Sequence, residues 1–172
     1  LKYPNKRSIG EKRNNMVKQA FKKGFRIFAT MDSDDIYQDI YLSTLYDEYN
    51  SHKRISLVGS SQMLFAYPNK DWRMSYIECR NKELIHEACC LFNYKHWKSA
   101  GGYRRDSRGE GRSMVSGFQD AVIKDIDVSK LMICICHLDN TIDKEMFFRP
   151  DSNVIPYVFP IEDREIIKLS LL

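Results

Sequence analysis

The chain has 172 residues, 43% of them hydrophobic and 29% charged, which is enough for one domain with a real core and argues against wholesale disorder. Its net charge of +4 is mild, and the basic residues are spread out apart from Lys22–Lys23 and the group Arg104, Arg105, Arg108 and Arg112; a nucleic-acid binder carries a denser basic stripe, so no nucleic-acid partner is expected. No apolar run is long enough to span a membrane, and none of the five cysteines forms a CxxC pair, which argues against a zinc knuckle.

The odd cysteine count, with no secretory signal, points to a reducing, cytoplasmic compartment. Cys89–Cys90 and Cys134–Cys136 lie within apolar runs, where cysteine behaves as a small hydrophobe. The chain opens on Leu1-Lys2-Tyr3 with no initiator methionine, and the expectation is a piece of a longer protein.

In chain order, Ser8-Ile9-Gly10-Glu11 is a capping-box pattern that predicts a helix over 9–23, with Val17, Ala20 and Phe21 on its apolar face and Gly24 at C′. The run Phe25–Met31 predicts a buried parallel strand. It feeds straight into Asp32-Ser33-Asp34-Asp35, at the strand end where open α/β sheets bind ligands. Three acids this close repel one another unless a cation or donors intervene. One reading is an oxygen-ligand site for a hard divalent metal. The other is that Asp34 or Asp35 caps the next helix and the remaining acids are solvated. That helix is expected over 36–52, with Ile40, Leu45, Tyr46 and Tyr49 on one face.

Strands follow over 55–59, 63–67 and 72–77, the last two flanking a turn at Pro68–Asp71. Another is expected over 88–94, then a short helix over 95–100 ended by Gly101-Gly102. Residues 104–112 read as a polar loop able to close over a ligand, 113–118 as a helical turn, and 131–136 as an apolar strand ending at His137. The tail after Thr141 carries Pro150, Pro156, Pro160 and an amphipathic stretch over 162–172.

Four stations therefore stand out: Gly10–Asn14, Asp32–Asp35, Gly101–Glu110 and His137–Thr141. In this order they resemble the nucleotide-sugar-dependent glycosyltransferases of the GT-A fold, family 2 type. The run G-x-x-R-N … A-x-x-G … D-x-D-D is similar to Gly10, Arg13, Asn14, Ala20, Gly24, Asp32, Asp34 and Asp35. The later pattern W … G-G-[FY] … G-E is similar to Trp97, Gly101, Gly102, Tyr103, Gly109 and Glu110. The resemblance covers about residues 8–141.

The resemblance implies an α/β fold with a GT-A-like (Rossmann-like) mixed central sheet flanked by helices and partial at the N-terminus, because the family's two preceding strands, which hold the nucleoside, are not among these residues. It implies a catalytic domain over 1–141 and an extension packing on it over 142–172. Its implied activity is metal-dependent transfer of a sugar from a nucleotide-sugar donor to a hydroxyl of a glycan or protein acceptor, with inversion. Asp34, Asp32 and His137 would hold Mn2+ or Mg2+, which neutralises the departing diphosphate. Lys12, Arg13, Asp32 and Asp35 would bind the nucleotide-sugar, arginine offering a planar donor fork. Glu110 would be the general base. The family usually carries Glu-Asp there, whereas here Glu110 is followed by Gly111.

Plainer readings stand beside these. Lys12 and Arg13 would be a solvated helix face, Glu110 a surface loop residue, and His137 a structural hydrogen-bonder. His86 and Glu87 would line an acceptor site or simply mark a strand edge. His52 and His96 read as surface residues, and Trp97 as core. Two other functions are carried: a non-catalytic module with a degenerate fold of the same kind, and a metal-dependent phosphoryl-transfer enzyme or nuclease.

Overall fold

The computed structural model of the chain describes residues 7–78, 85–115, 123–137 and 154–157. The architecture is α/β. Helix α1 spans Ile9–Lys22, closed at its start by the full capping box between Ser8 and Glu11. Strand β1 (Ile27–Ala29) follows, then β2 (Ile36–Tyr37), α2 (Tyr41–Asn50), β3 (Leu57–Gly59), β4 (Gln62–Tyr67) and β5 (Arg73–Glu78). After these come β6 (Cys90–Asn93), α3 (Tyr94–Ser99), α4 (Arg112–Val115), β7 (Ile123–Asp125), β8 (Met132–Ile135) and β9 (Val154–Tyr157).

The described strands form two sheets rather than the single central sheet expected. The first has the order β1-β6-β3-β7 and the second β2-β8-β4-β5-β9. Both are mixed: β3 runs parallel to β7 and β4 parallel to β8, while the other pairs are antiparallel. The chain crosses from one sheet to the other at Ser60-Ser61, between β3 and β4. Asp125, at the end of β7, pins that step by accepting from Ser61 N at 2.9 Å and Ser61 Oγ at 2.8 Å.

Successive residues of the first sheet face different cores, as a period of two requires. Leu57 and Phe92 pack with Val17, Trp97, Tyr103 and Met114 under α1 and α3. Val58 and Leu91 face the larger core, with Leu45, Leu64, Tyr67, Leu131 and Met132. Burial on both faces is why these strands read as continuous apolar runs.

Two expected elements change. The predicted parallel strand over 25–31 is three residues long, lies at the sheet edge and pairs antiparallel with β6. Phe25 and Met31 are 61% and 53% exposed, because the strand has ended on either side of them. The helix expected from residue 36 begins at Tyr41. Ile36 and Tyr37 instead pair with Ile133 and Met132 of β8. The buried face of α2 is Tyr41 and Leu45, with Ile40 and Tyr46 exposed.

Strands β3, β4, β5, β6 and β8 and the short helix α3 fall within a few residues of expectation, whereas β7 and β9 were not anticipated. The helical turn over 113–118 appears as α4, its residues 116–118 lying outside the described residues. The stretch 162–172 also lies outside them; of the segment 142–172 only β9 is described, and it adds to the edge of the second sheet beside β5. Among the described residues no helix is long and apolar enough to cross a membrane.

Candidate active site

The acidic loop connects β1 in one sheet to β2 in the other, so it lies where the two sheets meet. A cleft of about 520 Å³ opens there, lined by Lys12 and Arg13 from α1, Asp32–Asp35 from the loop, His86 and Glu87, Ser107 and Glu110, and Cys134 of β8.

Helix α1 reaches this position because its start is moulded to the loop 104–110. Gly10 N donates to Asp106 O at 3.0 Å, and Ile9 N to Ser107 Oγ at 3.2 Å. A Cβ on Gly10 would collide with the carbonyl oxygen of Arg104 and approach Glu110 Cβ at 3.1 Å. One turn on, Asn14 fixes the second glycine station. Its Oδ1 accepts from Tyr103 N at 2.8 Å and Trp97 Nε1 at 3.0 Å, and its Nδ2 donates to Tyr103 O at 2.7 Å. Gly102, with φ +77°, lies directly against Asn14 and Trp97. The Arg-Asn pair and the Gly-Gly-Tyr turn, some ninety residues apart in sequence, are therefore one structural unit.

Arg13 is the hub of the cleft. Its Nη2 donates to Asp32 Oδ1 at 2.6 Å, its Nε lies 3.6 Å from Glu110 Oε1, and its guanidinium sits 5.6 Å from the centre of the Tyr103 ring. Burial alone would lower its pKa; Asp32, with Tyr103, Glu110 and Glu87, more than offsets this and holds the group above its ordinary value. The remaining nitrogen, Nη1, is buried and has no hydrogen-bond partner among the described residues. A buried unpaired donor costs free energy that an incoming acceptor would recover. Arg13 is thus no solvated helix face, whereas Lys12 is exposed at the cleft.

Each carboxylate of the acidic loop has its own donor. Asp32 has Arg13, Asp34 Oδ2 lies 3.3 Å from His137 Nε2, and Asp35 Oδ1 accepts from Ile135 N at 2.9 Å. The β2–β8 pairing explains the last two contacts: continued back from Ile36 opposite Ile133, it brings the loop alongside the end of β8 and His137. Neither Asp34 nor Asp35 caps a helix, since a strand follows. Two tyrosines hold the loop backbone: Tyr37 Oη accepts from Asp32 N at 2.8 Å, and Tyr41 Oη donates to Thr30 O at 2.6 Å. Burial raises the pKa of both phenols, which keeps them protonated.

The predicted metal ligands are only partly brought together. Asp34 and His137 face each other, but Asp32 is turned to Arg13, and among the described residues no group of three His, Cys, Asp or Glu side chains is arranged to hold an ion. The Asp34–His137 spacing nonetheless fits a cation. Adjacent octahedral ligands about 2.1 Å from an ion stand ~3 Å apart, close to the 3.3 Å observed. One carboxylate and one imidazole also suit an ion that takes its other ligands from phosphates and water. Asp35, predicted to bind the nucleotide-sugar, lines the cleft but is engaged with the β8 backbone.

The cleft contains a second, half-buried carboxylate beside Glu110, which is itself 4% exposed and no surface residue. Glu87 precedes β6 and accepts the backbone N–H of Gly111. Burial, and then the charge of Glu110, raises its pKa above the usual carboxylate range, with Arg13 opposing. Its neighbour His86 is held down to about 4 by burial and is neutral at physiological pH. In sequence, Glu87 was one member of a His-Glu pair at a strand edge; its weight comes from Gly111, which only the fold brings to it.

Two aromatic side chains of the later pattern are structural. Trp97 is core, tied to Asn14, and Tyr103 is buried beneath Arg13. His96, expected at the surface, is 3% exposed, with Nε2 2.7 Å from Met114 O and Nδ1 3.2 Å from Ser56 Oγ. It sits on the inner face of α3, one residue before Trp97, and the Asn93 cap sets that orientation by accepting from His96 N. His52 is exposed as expected. The arginines of the loop 104–112 are also exposed, and Arg104 pairs with Asp106 at 3.1 Å.

No protein-family model matches the chain, and no curated protein sequence matches it.

Proposed function

We propose that this chain is the catalytic part of a metal-dependent glycosyltransferase with a GT-A-like architecture, moving a sugar from a nucleotide-sugar to a hydroxyl acceptor with inversion. The observation that carries the reading is the convergence of the sequence stations on one cleft: Arg13, the three loop carboxylates and Glu110 line it together, and His137 closes on Asp34. On this reading Arg13 and Lys12 face the diphosphate. The buried Nη1 of Arg13 offers an unfilled donor for an anionic oxygen. Asp34 and His137 hold the cation, Mn2+ before Mg2+ because of the imidazole. When bound, that ion supplies charge neutralisation for the leaving diphosphate. Asp32, oriented by Arg13, presents its other oxygen to the ribose or to a water of the ion's shell.

One observation favours a non-catalytic module of the same fold: every loop carboxylate already has a protein donor, so the crowding needs no cation. A two-metal phosphoryl-transfer site is less well supported, since Arg13 occupies the carboxylate that would bridge two ions.

A thermal-shift panel, with an oligonucleotide-cleavage assay beside it, separates these readings. UDP, GDP, CMP and dTDP are tested with and without manganese, on the chain and on Asp34→Ala. A ligand at about a hundredfold over its dissociation constant adds roughly 2.7 kcal/mol to folding. The expected result is stabilisation by one nucleotide only with manganese, abolished in Asp34→Ala. Silence from every nucleotide would leave the non-catalytic module; cleavage of an oligonucleotide would favour the nuclease.

A further inference from the structure

We infer that Glu87, rather than Glu110, is the catalytic proton acceptor of this cleft, seated there by the absence of a side chain at Gly111. The inference rests on the transferase reading above and assigns a residue within it.

Gly111 is buried, and a Cβ placed on it would collide with Glu87 Oε2 and come within 2.6 Å of Glu87 Cβ. Its φ lies outside the left-handed range, so backbone conformation does not demand glycine here. Space does. Any larger residue at 111 would expel the Glu87 side chain from its position, and the Gly111 N–H that binds the carboxylate would lose its partner. The position where a carboxylate-bearing side chain would follow Glu110 is therefore filled by a carboxylate from another element, the segment leading into β6.

The two acids of the cleft are not equivalent. Glu110 is committed to Arg13, whose Nε lies 3.6 Å away, while its main-chain oxygen accepts from Arg104 N at 2.8 Å. Among the described residues the donor to Glu87 is the neutral Gly111 N–H, while Glu110 and Asp32 act on it as like charges and Arg13 as the opposing cation. Burial next to a like charge makes a carboxylate a better proton acceptor. The neighbouring His86 is neutral and does not compete with Arg13 for it.

In the step this assigns, the acceptor hydroxyl oxygen forms its bond to the anomeric carbon as its proton passes to Glu87. The bond from that carbon to the diphosphate oxygen breaks, and its electron pair leaves with the nucleoside diphosphate.

The experiment combines two measurements on the whole chain. Carbon-detected NMR follows the Glu87 carboxyl through a pH titration. Release of nucleotide from UDP-glucose, GDP-mannose and dTDP-glucose, with manganese and with water as acceptor, is followed for wild type, Glu87→Gln and Glu110→Gln. The glutamine at 87 keeps an oxygen for the Gly111 N–H, so the seat survives while the base is lost. The inference expects Glu87 to titrate above the ordinary glutamate range and wild-type turnover to rise with pH through that same midpoint. It expects Glu87→Gln to lose at least about a hundredfold in turnover with its manganese-dependent nucleotide shift unchanged. If Glu87→Gln does not fold, Gly111→Ala displaces the same carboxylate and is expected to show the same loss. An ordinary titration of Glu87 overturns the inference whatever the donor. So does a Glu87→Gln enzyme that turns over normally. A wild-type chain that shows no nucleotide shift at all overturns the transferase reading, and with it this one; in the first two cases that shift persists.

Discussion

Asn14 makes three hydrogen bonds with one amide, to Trp97 Nε1 and to both main-chain groups of Tyr103. Its partners are all buried or nearly so, and none can turn to water when the amide is removed. Leaving a buried group unsatisfied costs about 1–3 kcal/mol. Asn14→Ala is therefore expected to lose roughly 3–4 kcal/mol in urea unfolding, and Asn14→Asp less, because a carboxylate still accepts from both N–H groups. Equal losses would mean that the donation to Tyr103 O dominates the joint. The Arg-Asn pattern was visible in sequence as a motif, but which of the two residues is structural was not. Arg13 serves the cleft and Asn14 serves the fold, and the distinction rests on contacts ninety positions away. His96 was misjudged for the same reason: the partner that marks it as buried, Met114 O, lies eighteen positions on in the chain.

At the scale of elements, legibility followed how local the determinants are. Helix α1 was readable because its capping box, apolar face and terminal glycine lie between Ser8 and Gly24, and its observed span differs from expectation by one position. Strand β1 was readable as a strand but not as an antiparallel edge, since strand direction and neighbours depend on β6. The start of α2 was misplaced because Ile36 and Tyr37 suit a helix and a strand about equally; pairing with β8 decides. The glycines make a sharper test of how elements meet. Gly10 sits inside α1 and is needed only because α1 presses on Arg104 and Glu110; Gly101 has φ +74° and nothing within 4 Å of its would-be Cβ. Gly101→Ala should therefore cost about 1 kcal/mol of backbone strain. Gly10→Ala should cost about 3 kcal/mol through overpacking and should shift Arg13 as α1 tilts away. The two urea midpoints, measured side by side, check this; a Gly10→Ala chain as stable as wild type would show that the α1–loop contact is not tight.

At the scale of the whole molecule, two histidines set the response to acid, His96 buried and His86 half-buried. His86 is held down to about 4 by burial, and His96 is lowered by burial against a partly opposing bond to Met114 O. In the unfolded chain both take up protons near 6.5. Between that value and the folded one the unfolded state binds more protons, so stability rises with pH across this window. It is complete above about pH 6.5 and is lost as the pH falls toward 4. Glu87 works in the opposite sense: its raised pKa stabilises the folded chain in acid and that contribution fades as pH rises through it. The histidine effect can be isolated by replacement. From pH 7 to pH 5, His86 alone should remove roughly 2 kcal/mol, at about 1.4 kcal/mol per unit below its unfolded value. In His86→Gln, whatever the urea-derived stability at pH 7, its fall between pH 7 and pH 5 should be smaller than that of wild type by that amount. A variant whose stability falls as steeply as wild type would mean that His86 takes up its proton in the folded cleft. The segment 85–87 would then present a cation beside Glu87, and the proton-accepting role assigned to that carboxylate would fail with it.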